Sequence, residues 1–315
     1  MGYITFDSEI VEKKAKSELK KLPEWESFFA KVGRRNFITP EGAQKVTKIR
    51  IYSSDFTNDD LDDLKYFVNL KLLDIRSFGL TDLQNAPLLE KLESLSISTG
   101  NHAIDLTDLK KFPNLKSLEM GDVKNLQSLS NLKKLRTIEL YTSGISDISC
   151  LSELHFITRL VLGGNEIEDL SPFASLKKLK ELRLNGNRIS DLTPLRGLKN
   201  IKTLSLCYNQ IHDISPLSEL VSLEKIYFGE NKIQNISALS NCENLRVIEI
   251  FGNPLLSIEP LLCLKHLESI ATDTGEIYEP LSSKFEKRAG IRTNGNVCGV
   301  HEEYEYWGFT KKSDI

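Results

Sequence analysis

Histidine and cysteine are the side chains of this sequence that could bind a metal ion or act as nucleophiles, and each occurs five times. The histidines are His102, His155, His212, His266 and His301, and the cysteines are Cys150, Cys207, Cys242, Cys263 and Cys298. No two histidines have the spacing of a helical zinc site, and no two cysteines have C-x-x-C spacing. We therefore predict no metal, no cofactor and no disulfide framework, with reduced thiols.

Covalent catalysis needs a nucleophile that lies beside a base. Cys207 falls at an outward position of a predicted strand, so it could be exposed, but no nearby position carries a histidine. The chain also lacks a G-x-S-x-G elbow, a phosphate-binding loop and a dinucleotide glycine pattern. These absences predict that the protein is not an enzyme and has no catalytic residues.

The net charge of the chain indicates which classes of partner it is suited to bind. The chain has 44 acidic and 41 basic residues, a net charge of −3, which argues against nucleic acid as the main ligand. No apolar run has the length of a membrane span. The first ten residues have no apolar core, so we expect no signal peptide and a cytoplasmic location.

Leucine accounts for 48 of the 315 residues, and its spacing is regular. One apolar position returns every 22 residues from Leu135 to Leu267, and upstream it returns every 20 to 24 residues from Val46. A single unit of this size cannot bury its own apolar side chains. Successive units must therefore stack, so that their cores join into one column.

The unit at residues 179–200 changes its hydrophobic period from one half to the other. Leu182 and Leu184 alternate with polar residues, which predicts a short strand, and Pro194 then ends the ladder. Leu195 and Leu198 are three residues apart, as in one helical or 3₁₀ turn. One asparagine position recurs in five successive units, at Asn165, Asn187, Asn209, Asn231 and Asn253. We expect these amides to pair with backbone groups at the bend after each strand.

The pattern LxxLxLxxNxIxDISPLxxL, at residues 157–176 and 201–220, resembles the leucine-rich repeat in its 22-residue class. Bacterial internalins and the phosphatase-1 regulatory subunit carry repeats of this class, and the S-P-L step is closer to the internalins. The resemblance covers residues 46 to 272. It implies an α/β solenoid, a horseshoe of about ten to eleven repeats with a parallel sheet on the concave face, in a bacterial protein.

The ends of the chain depart from the repeat and predict caps on the solenoid. Residues 46–274 form the predicted solenoid and residues 1–45 a helical N-terminal cap. In that cap, Asp7 or Ser8 begins a helix whose apolar face carries Val11, Ala15, Leu19 and Leu22, and a second helix runs from Pro23 to Gly33.

The predicted C-terminal cap covers residues 275–315. A short helix is expected from Leu281 to Ala289. After it, Asn294-Gly295 predicts a hairpin turn, and residues 301–309 predict an edge strand that closes the last rung.

In this architecture the side chains that flank the two central leucines of each strand point outward. Glu119 and Glu139 occupy the same position in successive strands, which favours a cationic partner. Tyrosine and arginine, which dominate interface hot spots, recur on later strands at positions where core burial is not expected. The predicted partner-binding residues are Glu119, Glu139, Tyr141, Arg159, Arg183, Tyr208, Tyr227 and Phe251.

Together these features predict a non-catalytic recognition scaffold, a monomer that binds another protein on its concave face. Two alternatives stay open. The phosphatase-subunit resemblance implies a regulatory or neutralising subunit of an enzyme, and the internalin resemblance implies an exported adhesin or effector.

Overall fold

The computed structural model of the protein describes residues 2–32, 35–100, 102–141, 143–272, 285–291 and 306–311. The chain divides into two compact units, Met1–Ser143 and Gly144–Ile315. None of the helices within the described ranges has the length and apolar content needed to cross a bilayer. The predicted boundaries after residues 45 and 274 stay predictions.

The first unit begins with helix α1 (Glu9–Leu19), whose amino end is capped by Ser8. The Ser8 hydroxyl accepts a hydrogen bond from the Val11 amide at 3.2 Å, as expected for an N-cap. Val11, Ala15 and Leu19 form the buried face of α1, as their spacing predicts, whereas Leu22 lies beyond the end of the helix and is half-buried. The Ser8 amide donates to the buried Asp63 carboxylate at 2.6 Å, which fixes the start of α1 on the first repeat.

The second predicted helix, from Pro23 to Gly33, is wrong. Glu24 has a left-handed backbone (φ 58°), which breaks any helix that starts at Pro23. Only a 3₁₀ turn follows, at Trp25–Phe28, and the chain then forms strand β1 (Phe29–Val32). Strand β1 pairs in antiparallel register with β2 (Arg35–Ile38), and a short helix, α2 (Pro40–Lys45), leads to the first repeat.

The repeats of the first unit contribute five parallel strands to a sheet. They are β3 (Lys48–Tyr52), β4 (Leu72–Arg76), β5 (Ser94–Ser98), β7 (Ser117–Met120) and β9 (Thr137–Leu140). A second, two-stranded parallel sheet is formed by β6 (Ile104–Asp105) and β8 (Val123–Lys124). The 3₁₀ helices of these repeats are Asp59–Tyr66, Leu106–Lys111 and Leu126–Asn131.

The second unit repeats one strand and one 3₁₀ helix per 22 residues. Its parallel strands are β10 (Arg159–Val161), β11 (Glu181–Arg183), β12 (Thr203–Ser205), β13 (Lys225–Tyr227), β14 (Val247–Glu249) and β15 (Ser269–Thr272). Its 3₁₀ helices are Ser149–Glu153, Ser171–Ser175, Thr193–Leu195, Ser215–Glu219, Ser237–Asn241 and Glu259–Cys263. The leucines and isoleucines of both halves of each repeat form the core between strands and turns. This is the solenoid that the repeat predicts.

The five asparagines form a hydrogen-bonded ladder, as predicted. The Asn209 Oδ1 atom accepts from the Ile189 amide of the preceding repeat at 3.0 Å. Its Nδ2 atom donates to the carbonyls of Leu184 and Leu206, both at 3.0 Å. Asn187, Asn231 and Asn253 make the same bonds in their own repeats, and Asn165 pairs with the Ile145 amide and the Leu162 carbonyl, so these backbone groups are paired at the bends after the strands.

The carboxyl-terminal segment contains strands where a helix was expected. Residues Phe285–Ile291 form strand β16, so the helix predicted from Leu281 to Ala289 is wrong for Phe285 to Ala289, while residues 281–284 lie outside the described ranges. Strand β17 (Tyr306–Lys311) pairs in antiparallel register with both β15 and β16. Strand β17 therefore continues the sheet after the last repeat. Because β16 lies on its other side, residues 306–309 form an inner strand and not the predicted edge strand, while residues 301–305 lie outside the described ranges. The predicted turn at residues 294 and 295 lies outside the described residues.

Candidate functional site

Three predicted residues of the second unit lie on the outward side of its parallel strands, namely Arg159, Arg183 and Tyr227. The register aligns Arg159 with Glu181, and Val161 with Arg183. Glu181 Oε1 accepts from Arg183 Nε at 2.7 Å and forms an ion pair with Arg159. Burial acts to raise the pKa of Glu181, but the hydrogen bonds from both arginines outweigh it and lower that pKa. The prediction named the two arginines and missed the carboxylate that holds them together.

Tyr227 lies on the same face, two strands from Arg183. The register places Ser205 between them, because Arg183 aligns with Ser205 and Ser205 aligns with Tyr227. Neighbouring strands are about 4.8 Å apart, so the two backbones are separated by about 10 Å. Tyr227 is half-buried, which leaves part of its ring open to a partner.

Phe251 and Cys207 are buried, although their positions were expected to face outward. Phe251 is 2% exposed and Cys207 is 0% exposed. The Phe251 ring packs over Gly229 of the preceding repeat, and the Cys207 amide donates to Asn185 Oδ1 at 2.9 Å. This position lies two residues after the end of the strand, where the chain bends toward the asparagine ladder. Phe251 is therefore corrected from a surface residue to a packing residue, and Cys207 is not an accessible thiol.

A left-handed backbone recurs at the residue that precedes the ladder asparagine. Glycine occupies this position at Gly164, Gly186 and Gly252, where φ lies between 64° and 68°. Tyr208 (φ 56°) and Glu230 (φ 58°) occupy it in the two repeats between Gly186 and Gly252. A residue with a β-carbon loses about 1–2 kcal/mol in this conformation, which glycine adopts freely.

The two strained residues lie side by side at the edge of the strand face. The Tyr208 amide donates to the Gly229 carbonyl at 2.9 Å, and Tyr208 is half-buried whereas Glu230 is exposed. A β-carbon at Gly252 would lie 2.6 Å from Glu230 Cδ, so this carboxylate rests over the glycine of the next repeat. Sequence reasoning included Tyr208 but missed Glu230. The signal that identifies both is the replacement of the glycine before the ladder asparagine.

Glu249 is a second carboxylate that the prediction left out. It aligns with Tyr227 on one side and with Ala271 on the other, at a position that faces away from the central leucines. Even so it is only 8% exposed. Burial raises its pKa to about 7, because a charged carboxylate is poorly solvated there.

In the first unit, Glu119 and Glu139 are direct register partners on β7 and β9. This confirms the predicted adjacency of the two acids. The Tyr141 hydroxyl donates to Glu139 Oε2 at 2.7 Å, so Tyr141 lies beside this pair. Glu119 is exposed, and the arrangement concentrates negative charge on one part of the strand face.

Four residues near the start of the same face form a cluster that the prediction missed. The Tyr52 hydroxyl donates to Asp74 Oδ2 at 2.6 Å, and this bond raises the pKa of Tyr52. Arg50 and Arg76 each lie 3.9 Å from an Asp74 oxygen. The aspartate is thus partly neutralised, and the exposed groups of the cluster are a phenol and two guanidinium groups.

Among the residues that the structure describes, no three His, Cys, Asp or Glu side chains are grouped so that they could hold a metal ion. The described cysteines are free thiols. Burial raises the pKa of Cys150 and of Cys242 to about 11, which makes both poor nucleophiles.

The family model that matches the chain is Leucine Rich repeats (2 copies), at residues 157–197 and 199–241. These residues hold four of the five ladder asparagines, all but Asn253, together with the strained Tyr208. The repeats of this chain are leucine-rich repeats. The observed strand, bend and 3₁₀ helix of each 22-residue unit agree with that assignment, as does the regular register of the parallel strands.

Known leucine-rich repeat proteins resemble this chain mainly in fold. Internalin C2 of Listeria monocytogenes is 21% identical with a TM-score of 0.52, and the match covers 85% of this chain and 94% of the internalin. The plant peptide hormone receptor RGFR1, solved in complex with RGF2, is 16% identical with a TM-score of 0.52, over 67% of this chain and 41% of the receptor.

One curated relative shares more of its sequence over a shorter stretch. An acidic leucine-rich nuclear phosphoprotein 32-related protein of Plasmodium falciparum is 34% identical over 87 residues, which is 26% of this chain. The chain matches 31% of the length of that relative.

Proposed function

We propose that the protein is a non-catalytic protein-binding scaffold and that its partner contacts the tyrosine patch, defined as Arg183, Tyr208, Tyr227 and Glu230. The observation that carries this proposal is the strained backbone of Tyr208. Three repeats of the second unit use glycine at this position, and Tyr208 departs from them at a cost in folding free energy. Strain of this kind is concentrated at functional sites.

The chemistry of the patch is that of an interface hot spot. Tyrosine offers a large apolar area with a polar end, and arginine offers a planar donor. Arg183 is held in place by Glu181, so less side-chain entropy is lost when it binds. A preorganised arginine and half-buried tyrosines, spread over neighbouring repeats, favour a folded protein or an extended peptide over a small metabolite.

The paired carboxylates of the first unit suggest a second element of the partner. Glu119 and Glu139 are register partners on neighbouring strands, so a cationic group of the partner would lie close to both carboxylates. We therefore expect a partner that combines apolar area with basic side chains. The fold is compatible with such a use, because RGFR1 is a peptide hormone receptor that has the same architecture.

The test is affinity capture from the source organism, followed by calorimetry with the purified partner. The variant combines Arg183→Ala, Tyr208→Ala and Tyr227→Ala. It should fold, because these side chains are not fully buried, and it should lose capture of the partner. Full affinity for the partner in this variant would contradict the assignment of the binding site to the tyrosine patch.

A matched control replaces three exposed residues away from the strands, Phe156, Arg196 and Val221, with alanine. It removes a similar set of side chains and should bind as the unchanged protein does. The identity of the captured partner decides between the alternatives. A stoichiometric enzyme would indicate a regulatory or neutralising subunit, and a host surface protein would indicate an adhesin.

A further inference from the structure

The first unit contains an open cleft of about 1050 Å³ that lies away from the residues discussed so far. One wall is the side of α1 opposite its buried face, and the other is formed by the Trp25–Phe28 turn and the β1–β2 hairpin. The sequence predicted a continuous helix here. The hairpin that replaces it creates the second wall, so the cleft could not be foreseen from the sequence.

The floor of the cleft is aromatic. Trp25, Phe29 and Phe37 line it, and each is half-buried rather than sealed in the core. The rings of Trp25 and Phe29 meet edge to face, with centroids 5.9 Å apart. An apolar side chain that entered the cleft would therefore contact preformed rings and bury further apolar area.

The walls carry positive charge in excess. Five lining residues are basic and two are acidic. Lys16 is paired with Glu12 at 2.7 Å, whereas Lys13, Lys20 and Arg35 have no ion pair within the described ranges. Among the described residues, the cleft thus combines an apolar floor with three cations that have no acidic partner, in a chain whose net charge is −3. Their charge is complementary to an acidic ligand.

We propose that this cleft binds an acidic peptide segment of a partner protein, with an apolar side chain on the aromatic floor and carboxylates against Lys13, Lys20 and Arg35. The overall negative charge of the chain disfavours a nucleic acid, whose binding depends on the summed basic charge of the surface. The half-buried rings lie within a cleft and so disfavour insertion into a lipid surface. The site is independent of the tyrosine patch.

The test uses the full chain and three fluorescein-labelled peptides, EEEFLEEE, EEEEEEEE and KKKFLKKK, followed by fluorescence anisotropy. The first peptide should bind, and its affinity should fall as salt rises from about 50 to about 300 mM. The second should bind at least about tenfold more weakly, because it lacks the apolar anchor. The third should not bind. Equal binding of all three peptides, or no binding of the first, would overturn the proposal.

Variants separate the cleft from other basic surfaces. Replacing Lys13, Lys20 and Arg35 with glutamine should weaken binding of EEEFLEEE by at least about tenfold and flatten its salt dependence. All three residues are exposed, so the fold should persist, as circular dichroism would verify. Trp25→Ala should weaken the same peptide and leave the weak binding of EEEEEEEE unchanged.

The matched control replaces Lys177, Lys199 and Lys232, exposed lysines of the second unit, with glutamine. It makes the same change in net charge and should leave the affinity for EEEFLEEE unchanged. An equal loss in this control would mean that the peptide senses only overall charge. Tighter binding of an oligothymidylate than of EEEFLEEE would assign the cleft to nucleic acid and overturn the proposal. A dimer that dissociates when the three basic residues are replaced would assign the cleft to a second copy of the chain and overturn it as well.

Discussion

The ring of Phe251 lies against the α-carbon of Gly229, so closely that a β-carbon at Gly229 would come within 2.1 Å of Phe251 Cζ. The two residues occupy the same position in successive repeats, and the glycine leaves the space that the ring fills. The aromatic side chain is thus buried against the neighbouring repeat. This packing, rather than partner contact, accounts for a phenylalanine at this position.

Phe251→Ala should therefore act on stability. The buried ring would leave a cavity, and we expect the free energy of unfolding to fall by about 3–4 kcal/mol in urea titrations. Phe78 is the control, because its ring also lies over a glycine, Gly100, but is 70% exposed. Phe78→Ala should cost less than about 1 kcal/mol. Equal losses in the two variants would contradict the packing role of Phe251.

Backbone strain at Tyr208 can be measured with a pair of variants. Tyr208→Gly and Tyr208→Ala both lack the ring, and they differ only in a β-carbon at φ 56°. The glycine variant should be more stable than the alanine variant by about 1 kcal/mol in chemical denaturation. The converse change, Gly186→Ala, should lose a similar amount, because its β-carbon meets only ordinary contacts. If alanine were as stable as glycine at position 208, the backbone would not be strained.

Removing one ladder asparagine should break several buried hydrogen bonds together. In Asn209→Ala the Ile189 amide and the carbonyls of Leu184 and Leu206 lose this partner. We expect a loss of about 3 kcal/mol in thermal or urea unfolding. The exposed Asn200 makes one bond, to the Lys177 carbonyl at 2.8 Å, so Asn200→Ala should cost less than about 1 kcal/mol. A small effect at Asn209 would mean that water replaces the amide.

Glu249 should make stability depend on pH. Its pKa is about 7 in the folded protein, against an ordinary value of 4.5, so the folded state binds the proton more tightly than the unfolded chain. The stabilisation is complete below about pH 4.5 and is lost as the pH rises to about 7, by about 3 kcal/mol in total.

Glu249→Gln should remove that part of the pH dependence, so the variant gains on the unchanged protein as the pH rises through this range. Urea titrations at a series of pH values would measure the difference. The exposed Glu230→Gln variant is the matched control. Parallel pH profiles for the Glu249→Gln variant and the unchanged protein would contradict the role of Glu249.

The solenoid could be predicted because each repeat has the same spacing of apolar residues. Leu182 and Leu184 alone would be ambiguous, but the same spacing in successive units leaves one arrangement that buries them all. The segment after Pro23 has no such repetition. Its aromatic residues suit either a helix or a hairpin, and a left-handed backbone at Glu24 selects the hairpin. The local pattern of this segment was therefore not enough to choose between the two.

The candidate site was predictable only in part. Alternation along the strands placed Arg159, Arg183 and Tyr227 correctly on the outward face. It failed at Phe251, because the chain bends there and alternation no longer describes which way a side chain points. It also could not reveal that Glu181 joins the two arginines, since that contact is made between neighbouring strands.

The asparagine ladder has a consequence for how such a chain changes length. Each bond joins residues a fixed distance apart in sequence, such as Asn187 Oδ1 to the Ile167 amide at 2.9 Å. If residues 179–200 were removed as one block, Asn209 would take the place of Asn187 and accept from Ile167, and no donor would be orphaned. Duplication of the block would be equally neutral. The strand face of this protein can therefore be lengthened or shortened in steps of one strand, about 4.8 Å each.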